Sequence, residues 1–438
     1  MKGYEKYKEV GLPWLKVIPE EWEIKPNKVF LKYQKNVVGK KADDYELLSL
    51  TKQGIQIKGN NDFSGKMPDN FESYQIVEKD QLVMCLFDLD ISAVFSGLSN
   101  YTGKITSAYD VFNIYGANHR FVDYYFRYIF QDRKYKLYSK SVRYTITKDD
   151  FRNLKTPIPL LHEQEQIANF LDWKVSEIDR LIELEKEHMN TLDELFSTKL
   201  NNIFDNIIGE KLKLRFIFIF GKGLNITKDN LGEKGNKCIS YGDIHGKMKF
   251  SVDSRNDEFK KLSNVENVLI SEFALLSKGD FIFADTSEDV LGSGDFTFVE
   301  NDKETLYAGY HTVVAKPKIK FNFKFLAYQF SSNRWRTQIR KAINGIKVYS
   351  ITQQILKQSE VILPEIEVQK KIVNILDDFN SKIKKYKKLS KDKITNLEEL
   401  KQTLISDAVT GKIDVRDIKI PHIFTERRKA NEFNRKRI

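Results

Sequence analysis

The chain is poor in the residues and patterns that mark several large protein classes. Its 438 residues hold two cysteines, Cys85 and Cys238, and no Cys-x-x-Cys pair. A disulfide framework or a structural zinc site is therefore not expected, and a reducing cytosol fits. No apolar run nears the roughly 20 residues needed to span a bilayer. The longest, LRFIFIFG from Leu214, is strand-length and rich in β-formers. The opening MKGYEKYKEVG lacks the apolar centre of a signal peptide, so neither a membrane span nor export is expected.

Catalytic motifs are missing as well. There is no GxxxxGK[ST] phosphate loop, and LGSGDF around Gly292 lacks the full GxGxxG spacing and reads as a β-turn. No [DNS]PP[YF] stretch is present to grip a flipped adenine, and no GxSxG elbow to present a serine nucleophile. The six histidines (His119, His162, His188, His245, His311 and His422) are scattered, without HExxH spacing or a His/Cys cluster for a metal. Asp80, Asp88, Asp90, Asp280 and Asp285 could suggest a metal-dependent nuclease, but no carboxylate–x–Lys partner follows them. Beside "KD" and "KGD" they read as turn residues. Catalytic residues are therefore assigned to none, and no metal site is expected.

What the sequence does have is positive charge, ordinary core-forming content and an internal duplication. Lys and Arg number 72 against 61 Asp and Glu, giving +11 and a pI near 9.1. Without membrane features, nucleic acid is the leading polyanionic partner. Hydrophobic residues make up 41% and aromatics 12%, enough for folded cores, and the length suits two or three domains.

The segment PIPLLHEQEQIANFLD from Pro157 returns as ILPEIEVQKKIVNILD, 205 residues further on from Ile362. The match runs without a gap from Tyr144 and Tyr349, and continues through LDELFSTKL from Leu192 and LEELKQTLI from Leu397. Upstream it decays, although VEKDQLVMCLFD still parallels LSKGDFIFADTS. A period this long is no solenoid; it marks two paralogous units, each a variable β-rich region followed by a better-matched helix.

Pro159 and Pro364 end a strand-like run and let a helix start a few residues later. Beyond them apolar positions alternate at spacings of four and three over about 40 residues, or roughly 60 Å. One seam collects Ile167, Leu171, Ile178, Leu192 and Leu195; the other collects Ile372, Leu376, Ile383, Leu397 and Leu404. Such lengths predict a coiled coil, although ordinary core packing would use the same stripes. The first helix carries a second stripe, Val175, Ile182, Met189, Phe196 and Ile203, expected to meet something besides its partner helix. Both seams turn polar at the same level, Glu185 and His188 against Ser390 and Lys393. Antiparallel packing would bring Glu185 to Lys393 and help fix register.

Basic residues cluster before each helix. RKYKLYSKSVRYTITK supplies Arg133, Lys134, Lys140, Arg143, Tyr144 and Thr145; RWRTQIRKAINGIKVYSIT supplies Arg334, Arg336, Arg340, Lys341, Lys347 and Tyr349. Lys and Arg neutralise phosphates, Arg can read guanine, and Thr147, Ser350 or Thr352 could bond phosphates or base edges. A solvated basic helix face with tyrosines packed inward is the alternative. The C-terminal TERRKANEFNRKRI is a basic tail.

WLKVIPEEWEI, IPLLHEQEQIANFLDWKVSEIDRLIE, and LPEIEVQKKIVNILDD through LISDAVTGKIDV together resemble the specificity subunit of Type I restriction–modification systems. The resemblance covers nearly the whole chain, with departures at EVQKK and in the basic tail. It implies an α+β architecture: two tandem target-recognition domains, β-rich with helices, separated by two long antiparallel helices forming a coiled coil. The expected boundaries are a first recognition domain at 1–156, a central spacer helix at 157–208, a second recognition domain at 209–361, a C-terminal spacer helix at 362–411 and the tail at 412–438. It also implies a non-catalytic, cytoplasmic subunit, bacterial or archaeal, that binds double-stranded DNA at a bipartite asymmetric site. Two methyltransferase subunits would dock on it, and two restriction subunits can be accommodated. S-adenosylmethionine, ATP and magnesium would belong to those partners, with no cofactor bound by this chain. A tandem adaptor that organises a complex without DNA, and a self-sufficient DNA-modifying enzyme, remain the rival readings.

Overall fold

The computed structural model describes residues 2–51, 54–59, 70–89, 96–131, 134, 136, 144–255, 258–263, 269–343, 345 and 348–421. The chain divides into two compact units, residues 1–186 with 391–438, and residues 187–390. Each unit therefore owns one β-rich domain, the adjoining part of one long helix and a length of the other.

In the first unit the strands β1 (Leu31–Gln34), β2 (Leu82–Met84), β3 (Ser96–Leu98) and β4 (Asp110–Ile114) form an antiparallel sheet in the order β1-β4-β2-β3. Helix α1 (His119–Gln131) covers it. Phe121, Val122, Tyr125, Phe126 and Ile129 are buried at the spacing of one helical face. Helix α2 (Lys148–Asn153) begins at Thr147, whose hydroxyl accepts the Asp150 N–H at 3.1 Å. The strand Lys155–Ile158 pairs antiparallel with Glu23–Pro26, and after Pro159 the chain enters α3 (Leu161–Asp205). Trp22, Phe112, Phe121 and Phe170 anchor the core.

The second unit repeats this plan. Its sheet comprises β5 (Phe218–Lys222), β6 (Phe250–Asp253), β7 (Phe281–Ala284), β8 (Phe296–Asn301) and β9 (Thr312–Pro317), ordered β5-β9-β7-β8-β6. Only β6 runs parallel to its neighbour. Helices α4 (Phe323–Ser331), α5 (Asn333–Ala342) and α6 (Gln353–Gln358) follow, and Thr352 caps α6 as Thr147 caps α2. Each cap satisfies one of the helix's orphan N–H groups, worth about 1 kcal/mol. Glu210–Lys213 pairs antiparallel with Glu360–Leu363, and after Pro364 comes α7 (Ile366–Val409). The two long helices span 45 and 44 residues, as their uninterrupted periodicity predicts.

The letters common to the two phrases fasten domain to helix. Gln164 donates to the Pro159 carbonyl at 2.8 Å and accepts the Asn118 N–H at 2.8 Å. Gln369 does the same with Pro364 and Asn322 at the same distances. Asp172 accepts from the Tyr124 hydroxyl at 2.9 Å and pairs with Arg120; Asp377 accepts from Tyr328 at 2.6 Å and pairs with Lys324 at 3.1 Å. Burial, with the adjacent carboxylate, pushes both phenols well above the ordinary tyrosine range. The signal for this clamp lies in NHRFVDYYF and NFKFLAYQF, two segments whose kinship the sequence reading missed.

Within each unit α3 and α7 run antiparallel. Asp179 meets Lys401 at 2.7 Å and Glu185 meets Lys393 at 2.5 Å in the first unit; Asp193 meets Lys387 at 2.5 Å in the second. The expected Glu185–Lys393 contact forms. The inner seam needs a correction, however. Ile167, Leu171, Ile178, Leu376 and Ile383 are buried, and Leu192, Ile372, Leu397 and Leu404 half-buried, but Leu195 is 50% exposed. Ile182 is buried instead, and Phe196 stacks on Phe379 with ring centroids 6.4 Å apart. The stripe assigned to another contact thus supplies half of the seam. From a shared row, positions three and four residues away flank the same contact, and the structure chooses the row holding Ile182, Met189 and Phe196 over the one holding Lys174, His188 and Leu195.

Candidate nucleic-acid interface

The described residues of the two basic clusters, the candidate phosphate contacts, all have partners within the fold or lie at its surface. In the first, Lys134 lies over the Tyr128 ring at 4.3 Å and Lys136 over Tyr144 at 4.6 Å. Tyr144 takes a left-handed φ of 47° and packs against the core, with Thr145 half-buried beside it. Lys148 donates to the Tyr33 hydroxyl at 2.8 Å and pairs with Asp110 at 3.1 Å. Arg133, Lys140 and Arg143 lie outside the described residues.

In the second cluster the arginines are engaged within the domain, Arg334 at its surface and Arg336 and Arg340 partly buried. Arg334 donates to the carbonyls of Phe204 and Asp205, the open C-terminal end of α3, where orphan carbonyls attract a cation. Arg336, with its side chain 15% exposed, pairs with Asp295 at 2.9 Å and donates to the carbonyls of Phe330 and Ser293. Arg340 donates to the Leu291 carbonyl at 3.1 Å. These guanidiniums organise the domain, because a buried carboxylate such as Asp295 requires a buried cation. Lys341 stays exposed, Tyr349 pairs with Ser287 in a short ladder, and Lys347 lies outside the described residues, as does the tail from His422.

The same unit holds a cleft that sequence reasoning did not find. Tyr241, His245, Lys249, Thr286, Ser287, Leu291, His311 and Val348 line an open space of about 680 Å³ in the second unit. Its floor is an ion-paired chain. Asp295 accepts from His245 Nδ1 at 3.0 Å and pairs with Lys249 at 3.0 Å, in addition to Arg336. His245 Nε2 lies 2.8 Å from the Thr286 carbonyl, so both ring nitrogens face acceptors, a setting that favours the protonated ring. The Asp295 hydrogen bond raises the His245 pKa against the opposing effect of burial. Burial also opposes ionisation of Asp295, but the His245 hydrogen bond and the Arg336 and Lys249 charges prevail and hold it at about 2. His311 sits 3.1 Å from Asp285 and edge-on to Tyr241.

The arrangement offers donors, acceptors and aliphatic surface side by side, the mixture that reads base edges. Asp280, expected in a turn, accepts the Ser277 N–H at 2.9 Å and pairs with Lys316. Asp80 and Asp88 adopt left-handed φ values of 67° and 48°, which suit turns. Asp90 lies outside the described residues. Among the described residues, no group of three His, Cys, Asp or Glu is disposed to hold a metal, and no helix is long and apolar enough to cross a membrane.

The exposed faces of the long helices form a second surface. In the first unit Leu181, Leu184 and Leu400 are exposed; in the second, Tyr386, Leu389 and Leu195. These are the same three positions of the duplication, each offered once by α3 and once by α7.

The architecture has relatives among solved structures. A chain from a structure describing complex assembly and conformational transition of the type I R-M system superposes with a TM-score of 0.66 at 13% identity, covering 90% of this chain and 99% of that one. The HsdS subunit from Thermoanaerobacter tengcongensis aligns with a TM-score of 0.49 at 13% identity, covering 90% and 98%. In sequence, the Type I restriction enzyme MjaVIII specificity subunit of Methanocaldococcus jannaschii is 24% identical over 292 residues. That match takes in 62% of this chain and spans 65% of the relative's length. Residues 19–194 and 211–396 each match the profile of the Type I restriction modification DNA specificity domain, and with most of its length in these two copies the chain belongs to that family.

Proposed function

We propose that the chain is the DNA-recognition subunit of a Type I restriction–modification complex, each unit reading one half of a bipartite, asymmetric site. The observation that carries this reading is the duplicated clamp, Gln164 with Asp172 and Gln369 with Asp377, which fixes each recognition domain to the start of a long helix. A domain fastened in this way transmits helix length into the spacing between half-sites. The +11 charge supports a DNA partner, and the mixed chemistry of the second unit's cleft supports base reading.

Two methyltransferase subunits are assigned to the repeated aliphatic stripes, one to each copy, since large apolar side chains exposed in register on a helix suit a partner helix. S-adenosylmethionine is assigned to those partners, and ATP and magnesium to the two restriction subunits that the assembly can carry. On this reading the protein works wherever its host keeps its DNA.

The test is to map methylated adenines in a host carrying the chain with its cognate methyltransferase. A single split motif with an unspecified spacer is expected; methylation without a sequence rule would refute the reading. Binding to that motif should fall steeply with salt, because phosphate contacts release counterions. Methylation or cleavage by the purified chain alone would overturn the non-catalytic assignment.

A further inference from the structure

The turn Asp289–Asp295 in the second unit is fastened on all sides, yet it holds an aliphatic side chain in solvent. Asp289 accepts the Gly292 N–H at 2.5 Å, and its carbonyl accepts from the hydroxyls of Ser287 at 2.7 Å and Ser293 at 3.2 Å. Asp295 N–H returns to the Gly292 carbonyl at 2.9 Å. Gly294 has a left-handed φ of 89°, and a Cβ there would lie 3.2 Å from Trp335. Arg340 and Arg336 grip the Leu291 and Ser293 carbonyls from α5. At the tip Leu291 is 72% exposed, with Val290 beside it and Val348 on the same cleft, both exposed too.

With most of its side chain in solvent, Leu291 contributes little to folding. Rigid presentation of an apolar group beside donors and acceptors is the arrangement that a specificity contact needs. On the major-groove edges of DNA the apolar group to be read is the thymine 5-methyl, flanked by hydrogen-bonding atoms. Resting on the DNA-recognition reading above, we infer that Leu291 contacts a thymine methyl in the half-site read by the second unit. Arg336 and Arg340 are positioning residues that hold its loop in place.

The experiment uses the full chain assembled with its methyltransferase and duplexes carrying the mapped motif. Each thymine is replaced in turn by uracil, which lacks only the methyl. The wild-type complex should lose affinity by about four-fold at one thymine of one half-site, the value of one buried methyl-sized group. Leu291→Ala should lose a similar factor on the thymine duplex and become indifferent to uracil at that position, with its response in the other half-site unchanged. Arg340→Ala should blunt the same discrimination, and Arg340→Lys should restore part of it; an effect on stability alone would not follow this one-position pattern. If Leu291→Ala responds to every uracil as the wild type does, or if neither half-site contains a thymine to which the wild type responds, the inference is wrong. A leucine wedged between base steps would leave both proteins insensitive to uracil and would also overturn it. Failure of the wild-type complex to show any motif would instead refute the recognition reading itself.

Discussion

Asp172 and Asp377 each accept the hydroxyl of a buried tyrosine. Asp172→Ala would leave the buried Tyr124 hydroxyl without its carboxylate acceptor and would remove the ion pair of Arg120, whose guanidinium also donates to Asn169. An unsatisfied buried donor costs about 1–3 kcal/mol, so urea unfolding should register a loss of roughly 2 kcal/mol in that unit. Adding Tyr124→Phe should return part of the loss by removing the orphan; no recovery would mean that the carboxylate acts mainly through Arg120. His245 supplies a pH prediction. Its folded pKa is raised above 6.5, first by the Asp295 hydrogen bond, so its stabilisation is complete below the unfolded pKa and is lost as pH rises through the folded value. The stability gap between the wild type and His245→Asn, measured by thermal melts, should therefore be wide near pH 6 and narrow in alkaline buffer. A gap that widens with pH would contradict the imidazolium assignment.

At the scale of elements, the lysines of α7 face the acids of α3 at all three interhelical pairs. Exposed pairs of this kind contribute 0–1 kcal/mol each, so their role is register more than strength. Lys393→Glu should destabilise the first unit by about 1 kcal/mol through repulsion of Glu185, and Glu185→Lys in the same chain should restore most of it. A double-mutant cycle with no coupling would remove this pair from register control. The existence, length and polar break of both helices were legible in the sequence, because periodicity over 40 residues accumulates signal. The seam was legible only in part. Leu195 and Phe196 are both apolar, and only the rotation of the folded helix decides which one faces inward. The partners of the α5 arginines were not legible for a related reason. Composition gives the sign of a charge, whereas the acceptors of Arg334 and Arg336 come from residues more than 40 positions away or from a helix end.

For the whole molecule the duplication was the strongest sequence signal, and it reappears as two units that each have an antiparallel strand pair before the long helix, a clamp and a cap. The cleft was hidden because Tyr241, the segment from Thr286 to Leu291, and His311 are far apart in sequence and meet only in the fold. The proposal that paired helices measure the DNA makes a prediction at this scale. One heptad inserted after Lys186 in α3, and one after Ser390 in α7, lengthens both helices by about 10 Å at 1.5 Å per residue. Seven residues nearly preserve the inward face of each helix, so the seam and the salt-bridge register survive in both units. At 3.4 Å per base pair, the unspecified spacer of the methylated motif should grow by about three base pairs with both half-sites unchanged. Three base pairs also turn the duplex by roughly 0.3 of a turn, a mismatch that the helices do not follow. Methylation at the lengthened site should accordingly be slower than at the parent site, because the DNA must be twisted to present both halves. Sequencing methylated adenines in the host reads both effects at once. An unchanged spacer would show that something other than helix length sets the separation, whereas a changed half-site would show that the insertion had disturbed a recognition domain.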